Sequence, residues 1–104
     1  MKKRRLVLSD AANSDILEQA AWYEQQSGEA LAKRWEKAVT AAVLRIVDAP
    51  LAGNPCEFGA PALIGMRRKA IVGFPRHLLF YTVNEAEVFL LRVIHGARDL
   101  ESLF

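Results

Sequence analysis

The sequence has a single cysteine, Cys56, among its 104 residues, so no internal disulfide can form and the fold needs no oxidising compartment. Cys56 also has no neighbouring cysteine or histidine at the spacing that a zinc site requires. Long apolar runs are missing: nothing approaches the ~20 residues of a membrane span. Met1-Lys-Lys-Arg-Arg5 has the charge of a secretory n-region, but only Leu6-Val7-Leu8 follows before Ser9-Asp10, too short for an h-region. These absences lead to the expectation of a cytoplasmic protein without a membrane partner. HExxH, GxxxxGK and GxGxxG do not occur, which removes the zincin, P-loop and dinucleotide chemistries. No nucleophile motif surrounds any serine.

Charge is missing in a pattern. Residues 6–32 hold five acids (Asp10, Asp15, Glu18, Glu24, Glu29) and no base. Residues 58–84 hold four bases (Arg67, Arg68, Lys69, Arg76) with His77, and no acid. The net charge of +2 says little about a partner, but this distribution gives an acidic first helix and a basic sheet.

What remains is an ordinary globular composition, 52% apolar and 25% charged, in a length that suits one domain spanning residues 1–104. Residues 4–8 read as a short strand and Ser9 as the N-cap of a helix that runs through Gln26. Ala12, Ile16, Ala20 and Tyr23 recur on it at helical spacing. Ser27-Gly28 breaks it. A second helix extends to Asp48 with Leu31, Trp35, Ala38, Val39, Ala42 and Ile46 on one stripe, and Pro50 marks its end. Residues 51–65 read as a loop, punctuated by Gly53, Pro55 and Gly59-Ala-Pro61. Three strands follow: residues 66–71, residues 77–83, and a final one from Glu87 rich in Val, Ile, Leu and Phe. Strict alternation would point Phe89, Leu91 and Val93 one way and Val88, Leu90, Arg92 and Ile94 the other, leaving the charged face partly open. The expected fold class is α+β, ordered β-α-α-β-β-β, with a helical hairpin packed on a mainly antiparallel four-stranded sheet.

Two residues do not fit the buried stripes. At about 100° per residue, Trp22 falls nearly opposite Ile16, Ala20 and Tyr23, and Leu44 is similarly placed on the second helix. They are either scattered surface apolars or parts of a partner groove. The basic set Arg67, Arg68, Lys69, Arg76, Arg92 and Arg98, with His77 and His95, offers guanidinium forks for phosphate or carboxylate and imidazoles for proton transfer. Taken singly, each arginine is explained as a solvated strand residue that deters aggregation. Taken together, with Arg67, Arg68, Lys69, Arg76 and His77 in a stretch without acids, they point to an anionic contact. His95 ends an apolar face, where a structural hydrogen-bonded role is the simpler reading. Asp99 can cap a terminal turn that places Leu100, Leu103 and Phe104 on one side, or pair with Arg98.

Several fragments carry a family likeness. Leu8-Ser9 followed by Asp15-Ile16-Leu17 and Tyr23, then Pro50 and Gly53, then Leu63-x-Gly65-x-Arg67, Tyr81, and the closing His95-Gly96-Ala97-Arg98-Asp99 resemble, in this order and spacing, ParE-type toxins of the RelE/ParE superfamily. The resemblance spans nearly the whole chain. It implies a toxin of a type II toxin–antitoxin system, with no cofactor. ParE-like members characterised so far poison DNA gyrase by binding, and that inhibitor reading leans away from an enzyme. The corresponding target-binding residues would be Arg92, His95, Arg98, Asp99, Leu103 and Phe104, with Arg67, Arg68, Lys69 and Arg76 as a basic surface nearby. RelE-like members instead cut ribosome-bound mRNA, and the alternative catalytic set would be His77, His95, Arg67, Arg68 and Arg92. Such enzymes often use a C-terminal tyrosine, whereas the tyrosines here are Tyr23 and Tyr81. A third alternative is a relic that only binds antitoxin. The implied partner is a cognate antitoxin of the ribbon-helix-helix, ParD-like kind, lying on Trp22 and Leu44; sequence-specific DNA binding by this chain itself is not expected.

Overall fold

The computed structural model describes residues 4–56 and 65–96. Strand β1 (Arg5–Leu8) leads into α1 (Asp10–Ser27), and α2 (Glu29–Asp48) returns antiparallel to it. Gly28 makes the junction between the helices at φ 89°, a left-handed conformation open to glycine at little cost. A 3₁₀ turn (Pro50–Ala52) and a two-residue strand β2 (Asn54–Pro55) follow. Strands β3 (Arg67–Ile71), β4 (Phe74–Val83) and β5 (Glu87–His95) complete a five-stranded sheet in the order β1-β5-β4-β3-β2.

The fold class is α+β as the sequence implies, with one correction. The sheet has five strands instead of four, because Asn54 and Pro55 pair antiparallel with Arg68 and Arg67 inside what reads as loop. Two residues, one of them proline, are too few for a strand pattern to show. The sheet is mainly antiparallel, as expected; its one parallel pair among the described residues is β1 beside β5, with Leu6 opposite Val88 and Leu8 opposite Leu90.

Both helices cover one face. α2 buries Trp35, Val39, Ala42, Val43 and Ile46 against Ile71, Leu79, Tyr81, Val88, Leu90 and Val93, and α1 adds Ala12 and Ala20. The Trp35 indole donates to the Ile16 carbonyl at 3.1 Å, so this large ring is buried with its polar atom satisfied. The opposite face is partly open, with Arg68 and Ala70 exposed, and partly covered. Met66, Phe80 and Ile94 are buried there, with Cys56, Leu78 and Leu91 packed alongside.

The alternation expected of β5 fails at one point. Tyr81 pairs with Leu90 and Phe80 with Arg92, so Leu91 is an extra residue. A bulge of this kind shifts the facing of everything after it. Val88 and Leu90 face the helices as a set, but Val93 joins them while Leu91 and Ile94 belong to the far cluster.

Candidate functional site

β1 is only four residues long and accompanies β5 no further than Leu90. Beyond that point α1 takes its place at the edge of β5. Ser9 starts the helix with its side chain accepting from the Ala12 N–H at 2.9 Å. The same hydroxyl donates to the Leu91 carbonyl at 2.6 Å, so one side chain caps the helix and ties it to the bulge. One and a half turns on, Asp15 accepts two hydrogen bonds from the Arg92 guanidinium, each 2.8 Å. It also accepts the Val93 N–H at 3.0 Å. The side chains of this pair are 10% and 19% exposed, and the hydrogen bonds that Arg92 donates to Asp15 raise the arginine pKa further. Arg92 is thereby turned toward the helix rather than outward from an open face.

Between α1 and the far end of the sheet lies a cleft of about 680 Å³, lined by Asp15, Glu18, Gln19, Trp22 and Tyr23 on the helix side. Phe74, Pro75, Arg76, His77, Val93, Ile94 and His95 form the strand side. His77 and His95 are directly opposed across β4 and β5, with ring centroids 5.6 Å apart. The His77 ring also packs edge-on against Trp35 at 4.8 Å and Tyr23 at 6.4 Å. Burial pushes the His77 pKa below its usual 6.5, and the neighbouring His95 pushes the same way. His77 is therefore kept neutral at neutral pH.

The basic residues do not share one surface. Arg67 and Lys69 pair with Tyr81 and Leu79, whose side chains face the helices, whereas Arg68 pairs with Phe80 of the far face. Arg67 donates to the carbonyls of Gly53 at 2.7 Å and Leu51 at 3.3 Å, holding the loop after α2. Tyr81 joins that clasp by donating to the Pro50 carbonyl at 2.6 Å. Burial raises the Tyr81 pKa, against the opposing effects of a Gly53 backbone hydrogen bond and Arg67. Cys56 lies close by, its thiol pKa raised by burial despite Arg68, which disfavours a reactive thiolate. Arg76 is exposed at the mouth of the cleft.

Trp22 and Leu44 are exposed, at 54% and 60%. Leu17, next to Ile16 of the buried stripe, is exposed as well, at 58%. Arg98, Asp99, Leu103 and Phe104 lie outside the described residues. Sequence reasoning passed over Glu18 as part of the cleft and Phe74 as part of its aromatic floor. It also left the links from Asp15 to β5 and from Tyr81 to Pro50 unseen, since no local pattern signals a pairing across so many residues. Among the described residues no group of three or more His, Cys, Asp or Glu gathers as a metal site, and no helix is long and apolar enough to cross a membrane.

A helical hairpin over one face of a mixed sheet whose first strand lies beside its last is the RelE/ParE fold. The family model for the ParE toxin of type II toxin–antitoxin systems, parDE, matches residues 6–100, and the chain belongs to that family. The chromosomal ParDE toxin–antitoxin system of P. aeruginosa contains a chain of similar structure, with a TM-score of 0.73 at 16% identity over 89% of this chain and 96% of that one. A conserved hypothetical protein of Helicobacter pylori, known from a solution structure, is similar with a TM-score of 0.57 at 19% identity, over 97% and 99% of the two chains. At such identities the likeness concerns the fold. No curated protein matches the chain by sequence.

Proposed function

We propose that this toxin inhibits type II topoisomerase, DNA gyrase, by binding it, and that a cognate ParD-like antitoxin of the ribbon-helix-helix kind neutralises it. The observation that carries the choice of binding over RNA cleavage is the engagement of the would-be catalytic arginines. Arg92 is committed to Asp15 through two hydrogen bonds, and Arg67 to the carbonyls of Gly53 and Leu51. A ribonuclease needs such forks turned toward a phosphate. The inhibitory surface in this reading is residues 92–104, including His95, Arg98, Asp99, Leu103 and Phe104, with Arg68 and Arg76 as accessory cations. Both partners act in the cytoplasm. The antitoxin covers the exposed Trp22 and Leu44, in keeping with the ParDE system of the similar P. aeruginosa structure.

A supercoiling and cleavage-complex assay with purified gyrase tests the proposal. Dose-dependent loss of supercoiling, weakened by the double substitution His95→Ala with Arg98→Ala, is the expected result. A folded toxin that leaves gyrase untouched would remove it. One observation favours the mRNA-cleaving alternative: His77 and His95 face one another beside Arg76 in a single cleft. Primer extension on ribosome-bound mRNA would then show cuts in codon register.

A further inference from the structure

Glu18 and Trp22 stand one helical turn apart on α1, and both line the cleft. We propose that this cleft receives a cationic side chain, arginine or lysine, from a partner polypeptide, with Trp22 as the stacking surface and Glu18 as the counter-charge. The inference rests on the reading that Trp22 belongs to the antitoxin-covered surface, and it names the chemistry that the covering segment must bring there.

Charge complementarity selects this occupant. α1 carries Asp10, Asp15, Glu18 and Glu24 and no base. Asp15 is already neutralised by Arg92. Glu18, exposed on the same wall, feels Arg92 at a distance but takes part in no ion pair among the described residues. Across the cleft His77 is held neutral by its burial, so the fixed positive charge of the strand wall is Arg76. The walls are therefore opposite in sign, negative on α1 and positive at the start of β4. A segment that presents a base to α1 and an acid to Arg76 satisfies both.

The aromatic partner is equally specific. Trp22 is braced edge-to-face on Tyr23, with centroids 5.6 Å apart and planes at 68°, while more than half exposed. An indole attracts a cation over its face, and a carboxylate one turn away supplies the charge-assisted hydrogen bonds. Arginine suits this pairing best, because its planar fork stacks and bonds at once. An isolated surface tryptophan would mean little. Here the indole, the carboxylate and the concavity coincide.

The test is an NMR titration of the intact ¹⁵N-labelled protein, reading the indole N–H of Trp22 with buried Trp35 as the internal reference. The probes are acetyl-Leu-Arg-Leu-amide, its citrulline isostere and its glutamate counterpart. The expected result is a saturable Trp22 shift with the arginine peptide, weakened about fivefold by citrulline or by Glu18→Gln. Trp22→Leu should remove the same binding when it is read at neighbouring amides. Equal affinity for arginine and citrulline, preference for the glutamate peptide, or no shift at millimolar peptide would each overturn the inference. Capture of the cognate antitoxin is measured separately, so intact capture with no selectivity for the cation would overturn this inference alone.

Discussion

Asp15 and Arg92, 77 positions apart in the chain, share two hydrogen bonds of 2.8 Å that fasten the first helix to the last strand. The pair is mostly withdrawn from water, and the same carboxylate takes the Val93 N–H that β1 is too short to reach. Removing one member leaves the other as a desolvated charge without its partner.

Asp15→Ala should accordingly lower stability by about 3 kcal/mol, near the lower end for breaking a buried ion pair. Chemical denaturation checks the value. In the Asp15→Ala, Arg92→Ala double variant the loss should fall short of the sum of the single losses by about 1 kcal/mol or more.

Ser9→Ala should cost about 2 kcal/mol, toward the upper end for an N-cap, because the hydroxyl also serves the Leu91 carbonyl. Ser9→Asp would keep the cap but present an acceptor to an acceptor at Leu91. It should recover only part of the loss in the same denaturation measurement.

Gly53 tests the clasp below α2. Its φ of −70° is open to any residue, so space alone excludes a side chain. An added Cβ would lie 2.1 Å from the Tyr81 hydroxyl oxygen and 3.1 Å from the Arg68 carbonyl. Gly53→Ala should destabilise by about 1–3 kcal/mol through overpacking. Tyr81→Phe costs about 1 kcal/mol by leaving the Pro50 carbonyl unmatched, yet it should soften the alanine substitution. Thermal melts of the two single variants and the double variant decide this.

The lowered pKa of His77 fixes the sign of a pH dependence. Below its unfolded pKa of 6.5, the unfolded chain binds a proton that the folded chain resists, so stability rises with pH across that window. The His77 contribution is present above pH 6.5 and is lost as the pH falls toward the lower folded value. Denaturant midpoints taken between about pH 5 and pH 8 should show the slope, and His77→Phe should flatten it.

The helices were legible because their signals are local. Ser9 caps, Gly28 breaks, and Trp35, Val39, Ala42 and Ile46 repeat on one side of α2, all within a few residues of one another. Trp22 and Leu44 fell off the stripes by angle alone, and the structure leaves both exposed. The face of β5 was not legible, because the extra residue at Leu91 is defined only by its pairing with β4. Arg92 looked outward for the same reason, and because its partner lies on the first helix. The cleft combines both cases: His77 and His95 were visible as candidates, while their opposition across β4 and β5 and the wall formed by Glu18 and Trp22 required the folded chain.

The parallel pairing of β1 with β5 also sets a timetable for synthesis. Arg5–Leu8 leaves the ribosome long before its partner residues, Glu87–Leu90. Ser9 and Asp15 likewise wait for Leu91, Arg92 and Val93. A contact map closed by such distant pairs folds slowly, because the loop entropy is spent before the pairing returns anything. A nascent chain lacking β5 has no native partner for β1, and its first helix lacks the strand it packs against. The Asp15–Arg92 clasp between the first helix and β5 therefore closes only after Arg92 has emerged, 77 residues behind its partner.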